Sequence, residues 1–328
     1  MKKILSALLV LTLFVSLFYA FGAWAEEAEE EEENYLTGDA SLDDPLNQDG
    51  IGEKELLVVS FGTSFNDSRR LTIGAVEKEL QRANPSWSVR RAFTSQIIID
   101  HVKDRDGEVI DNVTEALERA IANGVKTLVV QPTHLMPGFE YHDLEAELAE
   151  YADAFDTIVL SEPLLYTDAD ISILGTVMID VSSAYALDRF GLDEFQEKDA
   201  RTAYCFMGHG TEADSNAVYA RLQDYLFSSS VRADNIFVGT VEAEPSVQDV
   251  LEMVQAGDYD RVVLRPLMIV AGDHANNDMA GDDEDSWKSI FEAAGYEVDC
   301  VLEGLGSNDT VQFLFDVKAS DAIARAGK

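Results

Sequence analysis

Apolar and polar positions alternate along the chain with two periods, near 2 and near 3.6, and the switches between them predict its elements. Leu56 to Phe61 is an apolar run that meets Gly62-Thr63-Ser64 and gives way to a helical pattern from about Ser68 to Asn84, closed by Pro85. Trp87 to Phe93 alternates as a second strand and ends at Thr94-Ser95. Helical patterns follow at Ile97 to Val102 and Val109 to Asn123, the latter with Gly124 placed as a C-terminal cap. Lys126 to Val130 reads as a third strand, Glu140 to Phe155 as a helix and Thr157 to Ser161 as a fourth strand. Strands alternating with helices of these lengths predict an α/β protein with a doubly wound parallel sheet.

The second half resembles the first in outline. Thr202 to Leu222 runs strand, glycine turn, helix, with Thr211 or Ser215 as a candidate cap; Phe237 to Val241 is a short apolar strand; Arg261 onward is an apolar run reaching Arg265-Pro266. Asp282 to Asp285 then precede Trp287, as in the first turn of a helix. Three landmarks recur in order. Ser60 to Thr63 matches Gly208 to Thr211, Arg91 to Thr94 matches Thr240 to Ala243, and Val130 to Pro132 matches Leu264 to Pro266. A duplicated unit is the economical reading. We therefore expect two similar doubly wound parallel-sheet domains, residues 54–165 and 166–328, with an interdomain cleft. The join carries a helix at Ile171 to Ala186 and a charged surface insertion at Leu187 to Asp199.

Candidate chemistry sits at the strand exits of the second half, where open α/β sheets place ligands. His209 follows the first strand between two glycines, Glu242 stands at the exit of the second, and His274 lies on the loop after the third. Each alone has an ordinary explanation: a strand-end histidine satisfies a backbone group, and a strand-end glutamate is solvated. Their spacing fits no local motif such as HExxH, so only the fold can bring them together. Gathered, two imidazoles and a carboxylate would suit a divalent transition ion, Co, Ni, Zn or Fe(II), rather than calcium. Both rings must be unprotonated to ligate, so activity is expected to fall below about pH 6. His134 is a candidate for the cleft lining, and His101 and His142 are expected to be exposed.

Five strings carry a family resemblance: SFGTS (Ser60 to Ser64), RAFTS (Arg91 to Ser95), MGHGT (Met207 to Thr211), GTVEAEP (Gly239 to Pro245) and the long PLMIVAGDHANNDMAGDDEDSWK (Pro266 to Lys288). In order and spacing, from about Leu56 to Phe315, the chain resembles the sirohydrochlorin cobaltochelatases of the anaerobic pathway, class II chelatases related in fold to ferrochelatase. The resemblance implies a tetrapyrrole held in the cleft, with His209, Glu242 and His274 as the metal-holding and catalytic residues. It also implies Co²⁺ as substrate metal, Fe²⁺ and Ni²⁺ being compatible with the same set, in a step of cobalamin or tetrapyrrole biosynthesis. No GxxxxGK[ST] loop is present, in keeping with insertion without ATP.

Composition changes the picture in three ways. Asp and Glu outnumber Lys and Arg by 62 to 24, a formal charge of −38, which argues against nucleic acid as a partner. Sirohydrochlorin is a polycarboxylate, so local cations are needed to offset that field; Arg69, Arg70, Arg90, Arg91 and Arg265 are the candidates. Met1 to Ala25 has Lys2-Lys3, an apolar run and Ala23-Trp24-Ala25, and reads as an export signal cut after Ala25. An uncleaved N-terminal anchor is the alternative; beyond it no integral span is expected. The glutamate-rich stretch from Glu26 to Glu53 reads as a disordered linker. The protein is then periplasmic or in the cell envelope. Cys205 and Cys300 are left as either a disulfide or separate buried thiols, and there is no CxxCH for haem. Oligomeric state stays open, a homo-oligomer included. Since corrin synthesis is cytoplasmic, export motivates an alternative: a secreted tetrapyrrole- or metal-binding protein on a chelatase scaffold, serving haem or metal uptake.

Overall fold

The computed structural model describes residues 38–191, 201–229 and 233–327. The export signal, the linker as far as residue 37 and residues 192–199 of the expected insertion lie outside the described residues.

The first lobe is built from β1 (Lys54–Ser60), α1 (Asn66–Leu71), α2 (Ile73–Ala83), β2 (Ser88–Phe93), α3 (Gln96–Asp106), α4 (Val113–Ala122), β3 (Thr127–Pro132), α5 (Phe139–Glu150) and β4 (Thr157–Leu160). A long helix, α6 (Asp168–Phe190), leads to the second lobe. This comprises β5 (Thr202–Gly208), α7 (Ala217–Ser228), β6 (Ile236–Thr240), α8 (Val247–Gln255), β7 (Arg261–Pro266), α9 (Trp287–Ala293) and β8 (Glu297–Cys300); α10 (Asp309–Ala326) follows. Each sheet has four parallel strands, in the orders β2-β1-β3-β4 and β6-β5-β7-β8. The winding reverses between β1 and β3, and again between β5 and β7, which puts a crevice at the carboxyl ends of those strands.

The repeated landmarks occupy equivalent positions. Ser60 pairs with Phe93 as Gly208 pairs with Thr240, and Val59 pairs with Pro132 as Met207 pairs with Pro266. Phe61 and His209 are therefore counterparts, each one residue beyond its strand. Alternate side chains divide between faces. Leu56 and Val58 of β1 and Tyr204 and Phe206 of β5 enter one central core shared by both lobes, whereas Leu57, Val59, Ala203 and Cys205 face two outer cores. α10 joins the central core and packs on α2, β3 and β4, crossing back from the second half to the first sheet. α6 is long and apolar enough to cross a membrane, but half of it is buried between neighbours as a core helix.

Several expectations are corrected. The pattern from Ser68 to Asn84 is two helices that meet at Thr72, whose hydroxyl donates to the Ser68 carbonyl at 2.5 Å. Neither Thr211 nor Ser215 caps α7, which starts after Asn216. The acidic cluster precedes α9 rather than forming its first turn; Ser286 caps it. His101 is half-buried. Cys205 and Cys300 are free: they flank Leu264 on successive strands, two spacings of about 4.8 Å apart, beyond disulfide reach.

The stretch from residue 38 to Glu53, expected to be disordered, is docked. The Asp43 side chain is 3% exposed and lies 2.8 Å from Arg69 Nε and 2.6 Å from Arg91 Nη1. Three of the five arginines offered as cleft cations are sealed in the interior by such pairs: Arg69 with Asp43 and Glu108, Arg90 with Glu55, and Arg91 with Asp43 and Glu77. Arg70 pairs with Asp67 and Arg265 with Glu303, so neither stands free. The pattern misled because guanidinium groups next to strand ends mark either a site or a buried ion-pair network, and only the partner, distant in sequence, decides.

Burial alone would raise the Asp43 pKa, but the guanidiniums of Arg91 and Arg69 outweigh it and hold the carboxyl below its usual range. Asp43→Ala should cost about 3 kcal/mol in urea unfolding at neutral pH, the low end for a broken buried pair, since Glu77 and Glu108 still face the guanidiniums. A carboxyl with a depressed folded pKa stabilises above its unfolded pKa and stops doing so as pH falls through the folded value. The penalty should therefore shrink below about pH 4.

Candidate metal centre

β5 ends at Gly208, and its exit is shaped by two glycines. A side chain at Gly208 would strike the Tyr219 ring, 2.3 Å from a Cβ placed there. Gly210 has φ +90°, and a Cβ there would lie 2.9 Å from Ala243. Between them His209 projects from the sheet edge, and its Nδ1 lies 2.9 Å from the Gly210 carbonyl, to which it donates. The buried Tyr219 hydroxyl accepts from the Gly210 N–H at 3.2 Å, holding the turn from beneath. β6 continues alongside: the N–H groups of Val241 and Glu242 donate to the carbonyls of Gly208 and His209, at 3.0 and 2.9 Å. That ladder sets Glu242 beside His209, with Oε1 3.8 Å from Nε2.

The loop after β7 brings the third residue. Its Ala271 N–H donates to Ser68 Oγ of the first lobe at 2.9 Å, so the loop spans the two halves. His274 then opens a single π-type turn, Ala275–Met279, an element common beside functional sites. Four residues on, Asp278 accepts from His274 Nδ1 at 2.7 Å. Both histidines thus spend Nδ1 on a partner and leave the Nε2 lone pair for a ligand.

The structure brings all three predicted residues together. Their rings and carboxylate offer one ligand atom each within 4.8 Å of one another, and the histidine rings meet edge to face with centroids 4.6 Å apart. Small rotations bring such atoms to the about 3.4 Å that separates two ligands, each about 2.1 Å from a tetrahedral ion. The side chains are 47, 56 and 34% exposed for His209, Glu242 and His274, so an ion held here would have open positions toward the cleft.

Across the cleft stands a carboxylate that sequence reasoning missed. Glu140, in the first turn of α5, is half-exposed; partial burial raises its pKa, and the charge of His209 opposes that rise. Its only trace in the sequence is its place after the third landmark of the first half, where the duplicate carries no acid at the same offset. Glu140 also borders a recess of about 360 Å³ with Phe61, Asn112 and Glu147 in its walls. His134, expected as cleft lining, is instead almost fully buried behind Glu140, its Nε2 3.5 Å from Glu140 Oε2. Asp278 was missed as well, because residues 271–281 read as loop and the i,i+4 relation to His274 exists only once the π-type turn forms.

Fold and site together define a two-lobed α/β protein that presents a His2Glu cluster, suited to a divalent transition ion, to an interlobe cleft. The model of the family Cobalt chelatase (CbiK) matches residues 54–324, and the chain belongs to that family. It is 34% identical over 275 residues to a sirohydrochlorin cobaltochelatase of Salmonella typhimurium, covering 84% of this chain and 98% of that protein. It is 30% identical over 255 residues to the sirohydrochlorin cobaltochelatase CbiKC of Nitratidesulfovibrio vulgaris, covering 77% and 84%. Among solved structures, SirB from Bacillus subtilis with Fe3+ superposes with a TM-score of 0.57 at 12% identity, over 84% of this chain and 98% of that one, a likeness of fold.

The Asp278 carboxylate raises the His274 pKa above the usual histidine value, against partial burial that lowers it; the charges of Asp278, Asp273 and Glu242 add to the rise. His274 therefore protonates at higher pH than a free histidine, and metal binding should weaken as pH falls through a value above about 6.5, earlier than the sequence suggested. Asp278→Asn should lower divalent-metal affinity about 10- to 100-fold in calorimetric titrations at neutral pH, and shift that weakening to lower pH.

Proposed function

We propose that this chain inserts Co²⁺ into sirohydrochlorin without nucleotide. The observation that carries the reading is the His209, Glu242, His274 cluster, open to the cleft, in a chain that matches the cobalt chelatase family over residues 54–324. The metal is substrate: it arrives, is held briefly and leaves in the macrocycle. The Nε2 lone pairs of His209 and His274 and a carboxylate oxygen of Glu242 hold it from one side, leaving coordination positions for the pyrrole nitrogens. Two N–H protons leave as the nitrogens take the ion. Glu242 beside the ion and Glu140 across the cleft are the carboxylates placed to accept them. Fe²⁺ and Ni²⁺ meet the same ligand set, and availability selects among them.

We propose separately that the chain is exported. The apolar run before Ala23-Trp24-Ala25 directs the chain out of the cytoplasm, and the glutamate-rich segment that follows keeps the mature protein soluble. Protein recovered from the cell envelope should begin at Glu26 by N-terminal sequencing; a retained Met1 would leave an anchored form.

Anaerobic incubation with sirohydrochlorin and Co²⁺ should give many equivalents of cobalt-sirohydrochlorin per protein, followed by absorbance. His274→Ala should lower kcat/KM by more than about 100-fold, beyond the cost of losing a residue that only orients a ligand. A wild-type change limited to one equivalent would mark a binder rather than an enzyme, and full activity in His274→Ala would remove the cluster from the mechanism.

A further inference from the structure

His134 lies on the loop from β3 to α5. Its carbonyl accepts from the Leu164 N–H at 3.0 Å, which ties the loop to the segment after β4. The side chain is only 8% exposed, and neither ring nitrogen has a hydrogen-bond partner among the described residues. Burial pushes its pKa down to about 4, so at neutral pH the ring carries one N–H and one lone pair. A buried donor left unpaired is destabilising, and native structures seldom tolerate one without use for it. The acceptor in reach is Glu140, whose Oε2 is 3.5 Å from Nε2. A shift of half an ångström or so makes the bond.

We propose that His134 is a positioning residue for Glu140: its uncharged Nε2–H donates to the Glu140 carboxylate when the cleft is filled and fixes that carboxylate toward the macrocycle, opposite His209. The inference rests on the metal-insertion reading above. A rotating half-exposed glutamate spends most of its time turned to water; one hydrogen bond from a rigid, buried ring removes that freedom. The ring is suited to this because it stays uncharged. A lysine or arginine there would hold Glu140 firmly ionised and weaken it as a proton acceptor, whereas a neutral donor orients it at less cost in basicity. Each proton transferred breaks one pyrrole N–H bond and forms one carboxyl O–H bond. The acid returns its proton to water on the exposed side, and His134 keeps its own proton throughout.

Two substitutions separate positioning from packing. His134→Gln keeps an N–H near the Nε2 position, and His134→Leu keeps the volume without a donor. His134→Leu should lower kcat for Co²⁺ insertion about 10- to 100-fold with KM for sirohydrochlorin and Co²⁺ affinity within about twofold. His134→Gln should recover most of that loss, and His134→Leu combined with Glu140→Gln should be no slower than Glu140→Gln alone. Wild-type kcat in His134→Leu, equal losses in both variants, or additive losses in the double variant would each overturn the proposal while leaving the insertion reading intact. A wild-type protein that inserts no cobalt would overturn both. Should His134→Leu not fold, long-range proton–nitrogen NMR correlations of the wild-type ring with sirohydrochlorin bound decide: the Nε2–H form with a resonance that moves in Glu140→Gln supports the proposal, and the Nδ1–H form or an unmoved resonance refutes it.

Discussion

The site depends on one constraint above all, that β5 lies between β6 and β7 in a parallel sheet whose strands end level. Parallel pairing aligns carboxyl ends, so whatever follows those strands emerges along a single edge. His209 and Glu242 are then fixed relative to each other by backbone hydrogen bonds that continue the ladder past the sheet. His274 comes from further along its loop and is aimed by the contact of that loop with Ser68 in the other lobe. Two of the three positions are thus properties of one sheet, while the third is a property of how the lobes meet.

Much of this was legible in the sequence, for reasons that can be named. The strand exits announced themselves because a buried parallel strand is a continuous apolar run, and its end at Gly208 or Pro266 is abrupt. The ligand residues stood out because each comes soon after such an end. What stayed hidden depends on partners distant in sequence. Arg69, Arg90 and Arg91 looked like cleft cations and are interior charges neutralised by Asp43, Glu55 and Glu77. Asp43 in turn belonged to a stretch whose composition signalled disorder, and nothing in its neighbours along the chain hints that two guanidiniums wait for it. Glu140 was obscured by its own element, where a glutamate in the first turn of a helix has a routine electrostatic explanation.

The two halves have diverged along chemical lines while keeping their geometry. Phe61 and His209 are equivalent by register, yet one is an exposed aromatic and the other a member of the His2Glu cluster. The first lobe supplies an apolar and acidic wall, and the second supplies the candidate metal cluster.

The return of α10 to the first sheet bears on how the molecule is made. Asn84 and Asp316, hydrogen-bonded in the finished structure, are 232 residues apart in the chain. Contacts of such long range form slowly, because the intervening polymer must be gathered before they yield any free energy. During synthesis from the amino end, the β3 and β4 side of the first sheet's inner face therefore waits for its cover until that last helix has left the ribosome. The nascent polypeptide therefore stays partly uncondensed until its own closing segment arrives.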